Sequence, residues 1–163
     1  MHVSRLLPKH QYLYYADMNI VITAHESNAY QFESGFSAQA EGDGMSPHRW
    51  TISEMAVIKT SLINITSQDS ATLILDAIPF TTGAPNSYQD AIISIDGISQ
   101  GTLRFREAGE KTLRIRIPMM RSHNSAFSFI SIYLPNSMSP ALLGMSDDQR
   151  SLGLGFRKME LNF

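Results

Sequence analysis

Hydrophobic and polar residues alternate with a period of two along most of the 163-residue chain, and turn residues interrupt the alternation at short intervals. A period of two places successive side chains on opposite faces of a strand, whereas a helix requires a period of about 3.6 residues. No stretch shows a helical pattern that continues beyond two turns. The pattern therefore predicts an antiparallel all-β protein.

Nine segments combine this alternation with the length and the flanking turn residues that are typical of strands. They span residues 18–24, 30–36, 55–65, 71–80, 91–96, 98–105, 112–117, 126–134 and 154–163, and further short strands are expected near Tyr12 and Trp50. The strongest turn signal is Asp96-Gly97, because a two-residue hairpin loop that fits the twist of its strands needs positive φ at both central residues. We therefore expect a hairpin between the fifth and sixth segments.

So many short strands predict two antiparallel sheets packed face to face, a β-sandwich of jelly-roll type, with a closed barrel as the less favoured alternative. Residues 18–163 are expected to form this single domain, and residues 1–17 an N-terminal extension or a first edge strand. The inner faces are expected to carry large apolar side chains, namely Phe32, Phe36, Trp50, Leu73, Leu75, Ile93, Ile95, Phe127, Phe129, Ile132, Leu154, Phe156, Met159 and Leu161.

The composition excludes several classes of function. The chain has no cysteine, so disulfides, thiolate metal sites and cysteine catalysis are excluded. A net charge of -2 gives no general attraction to nucleic acid or to an anionic membrane. The first 15 residues contain no apolar run of the length that a secretory signal or a membrane span needs. We expect no direct membrane insertion and either a cytoplasmic protein or a soluble part of an envelope-associated one, with the compartment left open.

The loop before the last strand contains Asp147, Asp148 and Arg150 between glycines at Gly144 and Gly153. Two carboxylates and a guanidinium so close together predict that the loop folds back on itself through charge-assisted hydrogen bonds. A second group of polar residues, Glu41 followed by Arg49-Trp50, precedes the third predicted strand.

These two groups have two interpretations. In the first, the indole of Trp50 stacks on a sugar ring while Arg and carboxylate groups bind its hydroxyls. In the second, Trp50 closes one end of the sandwich and Arg49 or Arg150 forms a structural ion pair with Glu41 or Asp147. The polar loops 81–87 and 119–125 are expected at sheet ends, where binding sites occur. The candidate ligand-binding residues are Trp50, Arg49, Glu41, Asp147, Arg150, Asn86 and Gln89.

Four arginines, Arg104, Arg106, Arg114 and Arg116, alternate along two segments that a short loop connects. If these segments form a hairpin in even register, the arginines share one face. Such a face is solvated, is paired with acids such as Asp76 or Glu160, or binds an anionic ligand.

No arrangement of residues indicates catalysis. A nucleophile, an acid and a base could be assembled from Ser146, Asp147 and His48. Ser146, however, is not in the glycine-flanked turn that exposes a nucleophilic serine. Glycoside hydrolysis needs a pair of carboxyl groups, and the motifs suggest one such pair, Glu41 and Asp147. An arginine beside each would lower the pKa of the carboxyl group that has to act as the acid. We expect no enzymatic activity and no cofactor. Calcium bound by the acidic glycine loop 41–44 is a minor alternative.

Taken in order, these motifs resemble the accessory β-sandwich domains of bacterial glycosyltransferases and other surface-polysaccharide proteins. The series consists of Gly35-Phe36-Ser37 with Glu41, Arg49-Trp50-Thr51, Gln89 before Asp96-Gly97, Ile117-Pro118, Ser139-Pro140, Leu143-Gly144, Ser146-Asp147, Arg150 and Leu152-Gly153. The resemblance covers roughly residues 18–163, and such domains are similar in architecture to carbohydrate-binding modules.

The resemblance implies a non-catalytic module that binds a glycan or polysaccharide. It also implies a glycosyltransferase or a membrane-associated protein as a partner. The alternative is a protein-interaction or structural module that docks onto such an assembly without contacting sugar.

Overall fold

The computed structural model describes residues 19–42, 44–61, 70–84, 87–118 and 127–162, and these ranges contain ten β-strands and no helix. The strands are β1 Asn19–Thr23, β2 Tyr30–Ser34, β3 Arg49–Trp50, β4 Met55–Ser61, β5 Ser70–Pro79, β6 Gln89–Ile95, β7 Ile98–Phe105, β8 Lys111–Pro118, β9 Phe127–Tyr133 and β10 Leu154–Asn162. They form two antiparallel sheets that pack face to face. The predicted all-β sandwich is therefore confirmed.

Each sheet has five strands. Sheet A has the order β1-β10-β5-β8, with β3 also paired to β10, and sheet B has the order β2-β4-β9-β6-β7. All nine predicted strands are present, and β3 is the short strand expected near Trp50. The prediction near Tyr12 and the assignment of residues 1–17 lie outside the described residues, as does the predicted continuation of β4 over residues 62–65.

The predicted Asp96-Gly97 hairpin is present between β6 and β7. Ile95 pairs with Ile98, and φ is 49° at Asp96 and 81° at Gly97. Positive φ at both central residues is the geometry of the tight turn whose twist matches that of the strands. The local sequence thus determines this turn.

The core lies between the two sheets and consists of the inward side chains of alternate strand residues. Fully buried members include Ile22, Ile58, Leu73, Leu75, Ile93, Ile130, Ile132, Leu134, Leu154, Phe156 and Met159. Ten of the fourteen predicted core residues are buried: Phe36, Leu73, Leu75, Ile93, Ile95, Ile132, Leu154, Phe156, Met159 and Leu161. Phe32 is partly buried and packs against this cluster.

Phe127 and Phe129 were predicted in the core, and this was wrong because both are exposed on the outer face of sheet B. On β9 the inward positions are Ser128, Ile130 and Ile132. Apolar residues occupy both faces of this strand, so its sequence permits either orientation. Packing of the two isoleucines against the facing sheet decides which side is buried.

The hairpin expected to carry four arginines is not formed. β7 pairs with β6 in sheet B, whereas β8 pairs with β5 in sheet A. Leu103 and Phe105 point inward on β7, as Ile117 does on β8, so Arg104 lies on the outer face of sheet B while Arg114 and Arg116 lie on the outer face of sheet A. Arg106 is exposed in the loop after β7. Alternation cannot distinguish a hairpin from two edge strands of facing sheets.

Candidate functional site

The loop before β10 is held by Arg150. Its Nη1 donates to Oε1 of Glu41 at 2.7 Å, and its Nη2 donates to Oδ2 of Asp148 at 2.8 Å. The hydrogen bonds from Arg150 hold the pKa of the Asp148 carboxyl below its usual value, and the bonds to Asp148 and Glu41 raise the pKa of Arg150. The expected contact between Glu41 and Arg150 is present, but the second carboxylate is Asp148, and Asp147 is exposed.

Arg49 is 5% exposed and points into the sandwich. Its Nε donates to the carbonyl of Ala24 at 3.1 Å, and its Nη1 donates to the carbonyls of Ser37 and Ala38 at 2.8 and 2.9 Å. The guanidinium also stacks on the ring of Phe32, with Cζ 4.4 Å from the ring centroid. These contacts support a structural role for Arg49.

Trp50 was also predicted in the core, and this was wrong, because it lies on the side of β3 opposite Arg49, on the outer face of sheet A. It pairs with Gly155 of β10, and its ring meets those of His48 and Phe80 edge to face, with centroids 5.3 and 6.3 Å apart. A Cβ at position 155 would lie 3.0 Å from Cδ2 of His48, so the glycine makes room for this aromatic group. The indole is partly exposed and is packed by two neighbours.

The six predicted ligand residues that the structure describes do not form one site. Gln89 is fully buried, and its Nε2 donates to the carbonyl of Asp90 at 3.0 Å. Asn86 lies outside the described residues. The ligand roles of Trp50, Glu41, Asp147 and Arg150 stay predictions.

A pocket of about 430 Å³ opens at one rim of the sandwich, between the loop after β5 and the loop after β9. We call it the rim pocket. Its lining residues are Phe80, Thr81, Thr82, Ser87, Tyr88, Pro135, Asn136, Ser137 and Met138. Aromatic rings therefore lie beside hydroxyl and amide groups, a combination that is typical of small-molecule sites.

Two contacts position the polar end of the rim pocket. The guanidinium of Arg104 lies over the ring of Tyr88, with Cζ 4.1 Å from the centroid. Asp90 holds that guanidinium through two hydrogen bonds of 2.7 Å. The backbone N–H of Asp90 also donates to Oδ1 of Asn136 at 3.3 Å, which leaves the amide N–H groups of Asn136 for other partners.

Sequence reasoning placed a site at the polar loop 81–87, and this loop contributes Thr81, Thr82 and Ser87 to the pocket. It missed Phe80, Tyr88 and Asn136. An aromatic residue at each end of the polar loop was the available signal for the first two. Asn136 is far away in sequence, and only the pairing of β6 with β9 brings it close.

The described lining of the rim pocket offers aromatic, hydroxyl and amide groups. Tyr88 is the one titratable side chain among the described residues that line the rim pocket, so this lining provides no acid and base pair. Within the described ranges, no group of three His, Cys, Asp or Glu side chains is placed to hold a metal ion. The same ranges contain no helix long and apolar enough to cross a membrane.

No protein-family model matches the sequence, and no curated protein matches it. Solved structures do match the fold. The C-terminal family 6 carbohydrate-binding module of LamC, a marine laminarinase from Zobellia galactanivorans, is 10% identical with a TM-score of 0.55, and the match covers 90% of this chain and 100% of that one. A family 35 module from Cellvibrio japonicus is 10% identical with a TM-score of 0.55, covering 88% of this chain and 92% of the module.

A third match is a family 36 module solved with calcium and xylotriose. It is 12% identical with a TM-score of 0.51, and the match covers 87% of this chain and 98% of the module. At these identities the likeness shows the fold alone. The chain is a two-sheet β-sandwich of the jelly-roll type found in carbohydrate-binding modules.

Proposed function

We propose that this chain is a non-catalytic carbohydrate-binding module and that the rim pocket is its glycan site. The observation that carries the proposal is the placement of the Phe80 and Tyr88 rings beside hydroxyl and amide side chains in one pocket. Aromatic rings pack on the apolar face of a sugar ring, while hydroxyl and amide groups bind its hydroxyls. The shared fold with modules such as the one that holds xylotriose supports the proposal at the level of architecture.

The pocket favours a neutral sugar. Its described lining has no carboxylate, ammonium or guanidinium group, and Arg104 behind Tyr88 is already paired with Asp90. A charged sugar would lose its hydration without gaining an ion pair. The calcium alternative was placed on loop 41–44, whose Asp43 lies outside the described residues, so it stays a prediction.

The motif series supports a biological context that is part of the same proposal. It resembles accessory domains of glycosyltransferases and surface-polysaccharide proteins, so the module would hold a glycan beside such an enzyme. In the alternative function the sandwich docks onto that assembly and does not contact sugar. Direct measurement of glycan binding separates the two.

The test begins with an array of neutral xylo-, cello-, laminari- and manno-oligosaccharides and continues by calorimetry with the shortest glycan that binds. We expect Tyr88→Ala and Asn136→Ala each to weaken binding about tenfold, which corresponds to about 1.4 kcal/mol. Phe129→Ala is the matched control, because it removes an exposed aromatic ring on β9 at roughly 20 Å from the pocket. Absence of binding to every glycan, or full affinity in both pocket variants, would contradict the proposal.

A further inference from the structure

The outer face of sheet B carries exposed apolar side chains on its middle strand, β9, and on the two strands beside it. Phe127 and Phe129 are consecutive on this face, and their surfaces are 46% and 43% exposed. Tyr133, at the other end of β9, pairs in register with Met55 of β4 and with Ile92 of β6. We call the two phenylalanines the aromatic group and the other three residues the mixed group. Exposed apolar groups of this kind mark interaction surfaces.

Small side chains separate the two apolar groups. Ser131 lies between Phe129 and Tyr133 on the outer face of β9. It pairs with Ser94 of β6 on one side and with Val57 of β4 on the other. Because serine is much smaller than the rings on either side of it, the surface is lower at its centre than at its two ends.

A surface of this shape is complementary to a second copy of itself. A half-turn about an axis that lies in the face and crosses β9 near Ser131 places the aromatic group of one copy against the mixed group of the other. The serine then lies close to its own counterpart, where a small side chain lets the two sheets approach. A twofold dimer requires a surface that matches itself in this way.

The charges on this face also suit a second copy. The strands of sheet B have four charged residues within the described part of the chain, and these form two pairs. Lys59 Nζ lies 3.6 Å from Glu33 Oε1, and Arg104 Nε lies 2.7 Å from Asp90 Oδ1. Two neutral faces meet without net repulsion. An apolar centre with polar groups at its sides is also the usual composition of a protein interface.

The area of the face is sufficient for a dimer of moderate strength. Sheet B has five strands, and β9 has seven residues. With strands about 4.8 Å apart and a rise of about 3.4 Å per residue, the face measures roughly 24 by 24 Å. Two such faces bury roughly 1,200 Å² in total, which is the lower end of the range for specific interfaces.

We infer that the outer face of sheet B joins two copies of this chain in a twofold dimer, with the two β9 strands antiparallel across the interface. Phe129 is the main contact ring, because Lys59 Nζ already lies 4.5 Å from the centroid of the Phe127 ring. The rim pocket, which Pro135 lines, follows the end of β9 and lies outside the paired faces. The dimer therefore keeps two open pockets at opposite ends, and it does not depend on the proposed function.

Sedimentation velocity over a range of protein concentrations tests the dimer. We expect reversible association with a Kd of about 10 μM. Phe129→Lys and Met55→Lys, one in each apolar group, should each weaken association about tenfold or more, because each places an unpaired charge in the interface. Val21→Lys is the matched control, since Val21 is 46% exposed on sheet A, and this variant should associate as the unmodified protein does.

A single introduced cysteine tests the arrangement of the two copies, since the chain has no cysteine of its own. Ser131→Cys, next to the twofold axis, should form a disulfide-linked dimer under mild oxidation. Thr112→Cys is the control, because Thr112 is exposed and pairs with Asp76 on the outer face of sheet A. It should give no linked dimer on non-reducing electrophoresis.

Two kinds of result would overturn the inference. Sedimentation as a monomer at every concentration would show that the face does not join two copies. A dimer that survives both lysine variants, or one that Thr112→Cys links and Ser131→Cys does not, would show that another face is used. Met55→Lys decides the test if thermal unfolding shows that Phe129→Lys is not folded.

Discussion

Arg150 and Glu41 are 109 positions apart, yet Nη1 of the first donates to Oε1 of the second at 2.7 Å. Arg150 also binds Asp148 of its own loop, so one guanidinium fastens the loop before β10 to the loop before β3. Both loops leave strands of sheet B, β2 and β9, and enter strands of sheet A, β3 and β10. The arginine therefore joins the two segments that frame the central strand β10 at its start.

Replacing Arg150 with alanine should lower the free energy of unfolding by about 1–2 kcal/mol, because several charge-assisted hydrogen bonds are lost. The side chains of Arg150 and Glu41 are each 38% exposed, so water solvates the carboxylates left behind and the loss stays below that for a buried pair. Urea unfolding gives the measurement. Arg106→Ala, at an exposed position, should change nothing, and an equal effect of both variants would contradict the prediction.

Asp148 should give the protein a pH-dependent stability. Hydrogen bonds from Arg150 lower the pKa of this carboxyl in the folded state, so the ionised form stabilises the fold. The contribution is complete above the ordinary aspartate pKa of about 3.9 and is lost as the pH falls through the lower folded value. We expect unfolding free energy to fall less steeply below pH of about 4 in Asp148→Asn than in the unmodified protein. If the free energy of unfolding depends on pH equally in both proteins, Asp148 contributes nothing to the pH dependence of stability.

Arg49→Ala should destabilise the sandwich by about 2–4 kcal/mol, since it leaves the buried carbonyls of Ala24 and Ser37 without this donor and removes the bond to the carbonyl of Ala38. For a chain of this size, each kcal/mol lowers the melting temperature by about 2–4 °C. Differential scanning calorimetry checks this. Loss of glycan binding at an unchanged melting temperature would instead show that Arg49 is a ligand contact.

Two glycines with positive φ should respond differently to alanine. At Gly97 (φ 81°) no atom lies within 4 Å of an added Cβ, so Gly97→Ala should lower the free energy of unfolding by only about 1–2 kcal/mol, through backbone strain. At Gly35 (φ 74°) a Cβ would meet the backbone of Met55 and would lie 2.7 Å from Cα of Ala56. Gly35→Ala should therefore be the more destabilising variant in urea unfolding. Similar losses at both positions would contradict this reading of the backbone contact.

Arg104 should influence glycan binding through Tyr88 without touching the sugar. Its guanidinium lies over the Tyr88 ring and is fixed by two hydrogen bonds to Asp90, a geometry that a lysine ammonium does not reproduce. Arg104→Lys should weaken binding of the shortest glycan about threefold to tenfold. In the Tyr88→Ala background, the same substitution should leave glycan binding unchanged. If Arg104→Lys weakens binding equally in the Tyr88→Ala background, the arginine does not act through the tyrosine.

The amino-acid sequence by itself determined the local features. Period-two alternation predicted every long strand, because a strand with one buried face needs apolar groups at alternate positions. Asp96-Gly97 determined its turn through the φ values that these two residues tolerate. The opposite charges of Glu41 and Arg150 indicated their pairing, although the neighbouring Asp147 was as good a candidate for the second carboxylate as Asp148.

Tertiary structure alone decided which strands are neighbours and which side of an ambiguous strand is buried. Phe127 and Phe129 became exposed because Ile130 and Ile132 on the other face fill the space between the sheets. Arg104 and Arg114 were separated onto opposite outer faces because β7 and β8 belong to different sheets. The rim pocket likewise depends on contacts between residues far apart in the chain, and alternation carries no information about such contacts because it repeats identically in every strand.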